Sequence, residues 1–287
     1  MLNFEDELEN LRVNKVGQVI SLHKPLLLLL TISEVLHGHK NEFLYDDIEP
    51  VLKSLLAKYG LKNTLKFNPQ YPFIYLAGSP NLWHCSLNKR DLKNPNSVSR
   101  SEVLGATGSF TKEFYQFLQN SENARNCLQL LLNQYWPEAY HEDILKDLGI
   151  FEPNQSTRLI ISNRSKLFVE EVLDAYERMC AICKQSIRLA DTLIGIDACH
   201  VKPIQHMGDD KVTNGIALCK IHHWALDRGA ISISPEMSLM VSKKLNGNKL
   251  FEYFTGFENT PVFTPRHKGS ELDQNNIEYH ATYIFVK

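Results

Sequence analysis

The chain has 287 residues, enough for two domains rather than one. Hydrophobic residues make up 43% and charged residues 22%, the proportions of an ordinary globular protein, which excludes a fibrous or disordered chain. A net charge of -2 exerts no global pull on nucleic acid, so any contact with DNA must come from a local patch.

The first residues, Met1 to Glu7, are acidic and lack an apolar core, which argues against secretion. Six cysteines, with a CxxC and neighbouring histidines, favour metal binding over disulfides in a reducing cytoplasm. The run Pro25 to Ile32 is too short to span a bilayer, and His23-Lys24 before it and Glu34 after it mark a buried helix. An apolar face from about Val19 to His37 predicts one helix. The start signal Tyr45-Asp46-Asp47-Ile48 predicts a second, reaching Leu56-Ala57. Tyr71 to Leu76 and Leu82 to Cys85, separated by Ala77-Gly78-Ser79-Pro80-Asn81, read as a β-hairpin. Helix, helix and hairpin in that order suggest a winged-helix-like module. Gly105 to Phe110 reads as a small-residue loop opening a helix at Thr111, and a further helix covers about Ala124 to Tyr135.

Phe151 to Thr157 has linker character, which places a recognition domain at 1–152 and a second domain at 158–287. A helix from about Ser165 to Arg178 leads into Cys180. Short β-like runs follow at Ala230 to Ile233 and Leu239 to Ser242, with a turn at Asn246-Gly247-Asn248, and the last 30 residues carry no signal. The fold class expected is α+β.

The second domain holds two interleaved sets of ligand-type residues. Cys180/Cys183 and Cys219/His222 are two pairs, each with two residues between its members, and such knuckles can close a tetrahedron of thiolates and imidazole around Zn²⁺. Thirty-five residues separate the pairs, enough for a hairpin between them. With all four positions filled by protein, the role is structural.

The second set is His200, Asn214 and His223, spaced H-x13-N-x8-H, with Asp227 four residues further on. If Lys220 to Arg228 is helical, His223 and Asp227 share a face and can grip one cation. Imidazole plus carboxylate, with other positions open to water and phosphate, suits Mg²⁺, Mn²⁺ or another divalent ion. Such an ion would neutralise charge building on a scissile phosphate. His200 would take a proton from the attacking water, a task suited to imidazole. Asn214 is uncharged and would brace the loop carrying His200.

This arrangement, over about residues 164 to 235, resembles the HNH nucleases with their ββα-metal fold, in the zinc-stapled subclass. The resemblance implies His200 as general base, His223 as metal ligand, Asn214 in support and Asp227 as a second ligand. It departs at Cys199, where many members carry a His or Asp that donates to the metal. Asp197, three before the base, reads as a structural acceptor more than as a ligand.

In the first half, His23-Lys24 with the following leucines, Tyr71-Pro72-Phe73, and the loop Gly105-Ala106-Thr107-Gly108-Ser109-Phe110 are similar to the sulfur-binding domain of phosphorothioate-dependent restriction endonucleases, over about residues 15 to 135. Sulfur in place of a non-bridging oxygen is larger, softer and less hydrated, so a small apolar cup favours it and leaves an oxygen under-satisfied. Tyr71 and Pro72 would supply the cup. His23 and Lys24 would hold a flanking phosphate or a base edge. The backbone of Gly105, Ala106, Thr107, Gly108 and Ser109 would approach the DNA closely. Members often carry an arginine before the Gly-Phe element. Val103-Leu104-Gly105-Ala106 has none, and Arg100 is the nearest.

The function expected is a modification-dependent type IV restriction endonuclease. It binds phosphorothioated double-stranded DNA and hydrolyses phosphodiesters nearby, in the cytoplasm and without a membrane. Cutting both strands with one active site per chain calls for a homodimer or two binding events. Two alternatives stand beside it. One is an HNH nuclease directed to methylated or otherwise modified bases, with Trp83 and Tyr75 as an aromatic cage. The other is a non-cutting, zinc-stabilised DNA-binding regulator, which would have no use for His200 or Asn214.

Overall fold

The computed structural model describes residues 3–16, 19–38, 41–60, 68–87, 97–151, 166–190 and 192–287. Of the expected linker at 151–157, residues 152–157 lie outside the described residues. The chain divides into two compact units, Met1–Ile160 and Ile161–Lys287, each with its own apolar core.

The first unit runs α1 (Phe4–Glu9), β1 (Lys15–Val16), β2 (Val19–Ile20), α2 (His23–Leu36), β3 (Phe43–Leu44), α3 (Tyr45–Tyr59), α4 (Gln70–Tyr75), β4 (Trp83–Ser86), α5 (Arg100–Val103), β5 (Thr107–Phe110), α6 (Lys112–Leu118), α7 (Ser121–Tyr135) and α8 (His141–Asp147). Helix α2 is apolar on every side, and a helix of that kind belongs at the centre. Leu26, Leu27, Leu28 and Leu29 have no exposed surface, and α3, α4 and α7 pack around them. The buried hydroxyls of Thr31 and Ser33 donate back to the carbonyls of Leu27 and Leu30, so no polar group is stranded there. Side-chain caps set other helix starts. Thr111 accepts from the Phe114 amide at α6, and Asn120 from the Glu122 amide at α7.

The hairpin expected at 71–85 does not form. Its first arm is helix α4. Alternating Tyr71, Phe73 and Tyr75 imitate a strand, yet a helix uses them as well. Tyr71 and Tyr75 stack one turn apart with centroids 5.9 Å apart, while Phe73 enters the core from another face. Pro72 lies in the first turn, where its missing amide costs nothing. Its second arm, β4, pairs instead with β5, and the sheet order is β3-β5-β4, all antiparallel. The expected loop at 105–110 is thus a turn at Gly105 followed by the central strand.

That strand explains one of its glycines. A Cβ on Gly108 would overlap the indole of Trp83, which is wholly buried among Phe43, Phe73 and Phe110. Gly108 is small to admit an aromatic side chain from the neighbouring strand. Gly108→Ala should therefore destabilise the first unit by about 1–3 kcal/mol through overpacking. A thermal melt reads this directly, and an unchanged midpoint would show that Trp83 has room to move.

The second unit runs α9 (Lys166–Ala175), β6 (Ile187–Leu189), β7 (Thr192–Ile194), β8 (Ile196–His200), β9 (Gly215–Cys219), α10 (Lys220–Asp227), β10 (Ile231–Ile233), β11 (Leu239–Val241), α11 (Lys249–Thr255) and α12 (Gln274–Tyr279). Its centre is an antiparallel pair, β8 and β9, in the register Ile196↔Cys219 to His200↔Gly215. Helix α10 begins at the residue after β9 and packs on both strands, which gives a β-β-α unit. Helix α9 covers β8 and β9 as well, so closely that a Cβ on Gly215 would overlap Val172.

The C-terminal residues are part of this core rather than a tail. Leu272, Ile277, Tyr279 and Phe285 are buried, the Asp273 amide donates to the Thr213 carbonyl, and His280 sits between the Ser232 hydroxyl and the Leu226 carbonyl.

Candidate metal centre and DNA-facing residues

The two knuckles meet. Cys180 and Cys183 flank a tight turn after α9, in which the Lys184 amide donates to the Cys180 carbonyl with Lys184 left-handed. Cys219 closes β9, and His222 lies in the first turn of α10. The ligand atoms of all four residues lie within 4.8 Å of one another. Cys183 Sγ is 4.0 Å from Cys219 Sγ, and His222 Nδ1 is 3.5 Å from Cys180 Sγ and 3.2 Å from Cys219 Sγ. Ligands about 2.0–2.3 Å from a tetrahedral zinc ion stand about 3.5–3.8 Å apart, so the donor set fits such an ion in both type and spacing.

The electrostatics agree. Hydrogen bonds from Cys180 and Cys219 hold the Cys183 thiol far below its ordinary value, while those with Cys183 and Cys219 push that of Cys180 far up. Burial disfavours a charged His222, but contact with Cys183 and Cys219 outweighs it and raises the imidazole to about 9. Three sulfurs this close cannot all ionise unless a cation sits among them. Among the described residues this is the one such metal-ligand cluster.

The second set is partly assembled. On α10, His223 and Asp227 stand one turn apart, with His223 Nε2 3.3 Å from Asp227 Oδ2. The other ring nitrogen, Nδ1, donates to Asp197 Oδ2 at 2.9 Å, and Lys220 Nζ reaches the same carboxylate oxygen at 2.8 Å. Burial opposes ionisation of Asp197, yet the bonds from His223 and Lys220 prevail and bring it to about 2. Burial likewise disfavours a charged His223, but Cys199, Asp227 and Asp197 around it drive its value strongly upward. The thiol of Cys199, fully enclosed, is pushed up by burial. The surroundings of His223 are those of a site made to hold positive charge.

His200 is placed differently. Residues alternate across a strand, so Asp197 and Cys199 leave β8 toward α10, while His200 leaves toward α9. Its ring lies flat on Phe168 with centroids 4.1 Å apart, and its Nε2 donates to Asp210 Oδ1 at 2.8 Å. The structure thus gathers His223 with Asp227 and Asp197, and His200 with Phe168 and Asp210. Asn214 is fully buried and spans the loop between β8 and β9. Its amide donates to the carbonyls of Lys202 and Asp209, and its oxygen accepts from the Lys202 amide. Asp210 and Phe168 escape sequence reasoning, because nothing in their local context marks them.

In the first unit, His23 and Lys24 open α2. His23 Nδ1 is 2.9 Å from the Ser21 hydroxyl, and Lys24 Nζ donates to the Arg12 carbonyl. Tyr71 is half-buried against Tyr75, and Pro72 is buried, both on α4. Gly105 adopts φ +75°, and its amide donates to Asp46 Oδ2 at 2.6 Å. Ala106 is buried, while Thr107 to Ser109 belong to β5 rather than to a free loop. Arg100 is tied to Glu49. Trp83 is wholly buried and donates to the Phe73 carbonyl, so it cannot wall a base-binding cage with Tyr75.

These observations agree with comparisons to known proteins. A family model described as a ScoMcrA-like DNA sulfur-binding domain matches residues 2–153, and one described as an HNH endonuclease matches residues 180–234. The chain belongs to the ScoMcrA-like DNA sulfur-binding domain family and carries an HNH endonuclease domain behind it. It is thus a nuclease with a mixed α and β fold. No curated protein matches it. Among solved structures, the sulfur-binding domain of SprMcrA complexed with phosphorothioated DNA is similar at 18% identity and a TM-score of 0.45, over 51% of this chain and 92% of that one. The corresponding ScoMcrA complex gives the same identity and score over 52% and 97%. The modification-dependent TagI restriction endonuclease is similar at 23% identity and a TM-score of 0.31, over 41% and 37%. No helix among the described residues is long and apolar enough to cross a membrane.

Proposed function

We propose that this chain is a modification-dependent restriction endonuclease whose residues 1–152 dock on phosphorothioated duplex DNA and whose residues 158–287 cut the duplex nearby. The observation that carries the reading is the tandem of a DNA sulfur-binding domain and an HNH domain in one chain. Tyr71 forms the apolar wall for sulfur, with the buried Pro72 behind it in the first turn of α4. His23 and Lys24 take the adjoining phosphate or base edge, and the turn at Gly105-Ala106 brings backbone close, with Thr107, Gly108 and Ser109 holding that turn in the sheet. Val103-Leu104-Gly105-Ala106 has no arginine, which leaves this contact to shape rather than charge.

In the second unit, Zn²⁺ on Cys180, Cys183, Cys219 and His222 is structural. His223 and Asp227 hold a catalytic divalent ion, Mg²⁺ or Mn²⁺, which when bound neutralises charge on the phosphate. Asp197, by accepting from His223 Nδ1, fixes the ring and leaves Nε2 beside Asp227 as the atom that would ligate. His200 takes a proton from the attacking water, and Asn214 keeps the β8–β9 loop in shape around it. Cleavage of both strands then uses two copies of the chain, in a cytoplasm that keeps the thiols reduced.

The full chain should bind a phosphorothioated duplex at least about tenfold tighter than the same duplex unmodified, a difference of about 1.4 kcal/mol. Competition binding at fixed salt measures it. Equal affinities would reject sulfur as the trigger while leaving the nuclease standing.

A further inference from the structure

We infer that the stripe formed by the exposed Lys220, Ile221 and Trp224 of α10 and by the half-buried Arg228 at its C-terminal cap is the surface on which the nuclease domain receives duplex DNA. Trp224 packs on sugars or bases beside the cut, and Lys220 and Arg228 engage the phosphates flanking it. This rests on the nuclease reading above. Helical geometry carries the first part of the argument. Residues 220, 224 and 228 are spaced four apart and residue 221 lies beside 228 around the helix, so all four fall within about 100° of one face. One residue's rotation, about 100°, separates Trp224 from His223, so the stripe borders the face that carries His223 and Asp227. A duplex whose phosphate reaches that pair must lie along it.

Composition carries the second part. Trp224 is 50% exposed and Ile221 43% exposed, while His222, Ala225 and Leu226 are buried and His223 and Asp227 half-buried. Burying a large aromatic ring is favourable, and half of this one is left exposed. The Lys220 side chain is largely exposed, and the guanidinium of Arg228 lies 4.7 Å from the Trp224 ring centroid. Eight residues of helix set the two cations about 12 Å apart along the axis, far enough to reach phosphates on either side of the ring. An aromatic ring between two cations matches the chemistry of stacked bases and phosphates. It is a poor match for an apolar protein groove. On a chain of net charge -2, this is the kind of local patch that DNA binding demands.

The protein carries its own reporter. Its three tryptophans are Trp83, Trp136 and Trp224, and the first two are 0% and 2% exposed. Fluorescence quenching by acrylamide therefore reads Trp224 alone. The full chain carrying His200→Ala would be titrated with labelled phosphorothioated duplex, with binding followed by anisotropy and Trp224 by quenching. We expect acrylamide access to fall severalfold as the duplex saturates. Trp224→Ala should weaken binding by about tenfold, and Trp224→Phe by clearly less. If anisotropy reports tight binding while access to Trp224 is unchanged, the stripe is not the DNA surface, although the nuclease reading survives. Absence of any binding would overturn both. Protection that grows with protein concentration in the absence of DNA would assign the stripe to a contact between copies of the chain instead.

Discussion

His200→Ala should lower divalent-dependent DNA cleavage by about a thousandfold while leaving duplex affinity within about twofold of the parent. The expected size is that of a lost general base, about 10²–10⁴ in rate. The geometry makes this a demanding test. His200 lies on the α9 side of β8, clamped by Phe168 and Asp210, whereas Asp197 leaves the same strand toward His223. Catalysis by His200 therefore requires the substrate phosphate to sit over the end of β8, where both faces of the strand become accessible. Single-turnover cleavage at saturating protein isolates the chemical step from binding. His223→Ala serves as the comparison, since it removes one of the two side chains that grip the ion. If His200→Ala still cuts at the parent rate and His223→Ala does not, the metal side of the site stands and the base is another group.

What the sequence made legible follows from distance along the chain. The four clustered Cys and His residues come as two local pairs, and local spacing directly encodes which side chains a knuckle can turn toward one ion. The H-x13-N-x8-H series also lies on contiguous elements, the β8–β9 hairpin and the start of α10, although His200 and the Asp197 that holds His223 leave β8 on opposite faces. Helix α2 announces itself by being apolar throughout.

The misreadings share the opposite character. Tyr71 to Tyr75 alternate as a strand would, and only packing of Phe73 and Trp83 into one core decides for a helix. The partner of β4 lies beyond α5, so the true pairing of Trp83 with Phe110 is invisible to any short-range hairpin rule. Gly108 read as part of a loop, and it lies in strand β5 and leaves the space that Trp83 fills. Asp210 meets His200, and Phe168 stacks on it, through contacts that no motif records. The C-terminal residues were silent because their apolar positions are scattered. Leu272, Ile277 and Phe285 fill gaps in a core built by others.

The largest stability effect should come from removing the zinc-type ligands. A structural zinc site contributes about 10–16 kcal/mol of apparent binding energy at neutral pH, as much as or more than the about 5–15 kcal/mol by which a whole domain is stable. The cluster also holds this unit together physically. Cys180 and Cys183 anchor the end of α9, Cys219 the end of β9, and His222 the start of α10, with Tyr253, Phe254 and Phe257 packed on the imidazole. The purified chain should accordingly contain one tightly held zinc ion, countable by elemental analysis. Strong chelation, or Cys219→Ser, should abolish the cooperative melt of residues 161–287 and open them to proteolysis. The first unit, whose core contains none of these residues, should melt as before. Acid should have the same effect as chelation, because thiolates and neutral imidazole are the ligating forms and protons compete for them as pH falls. A second unit that stays folded and protease-resistant without the ion would mean that packing alone sustains it, leaving the four ligands a role other than structural.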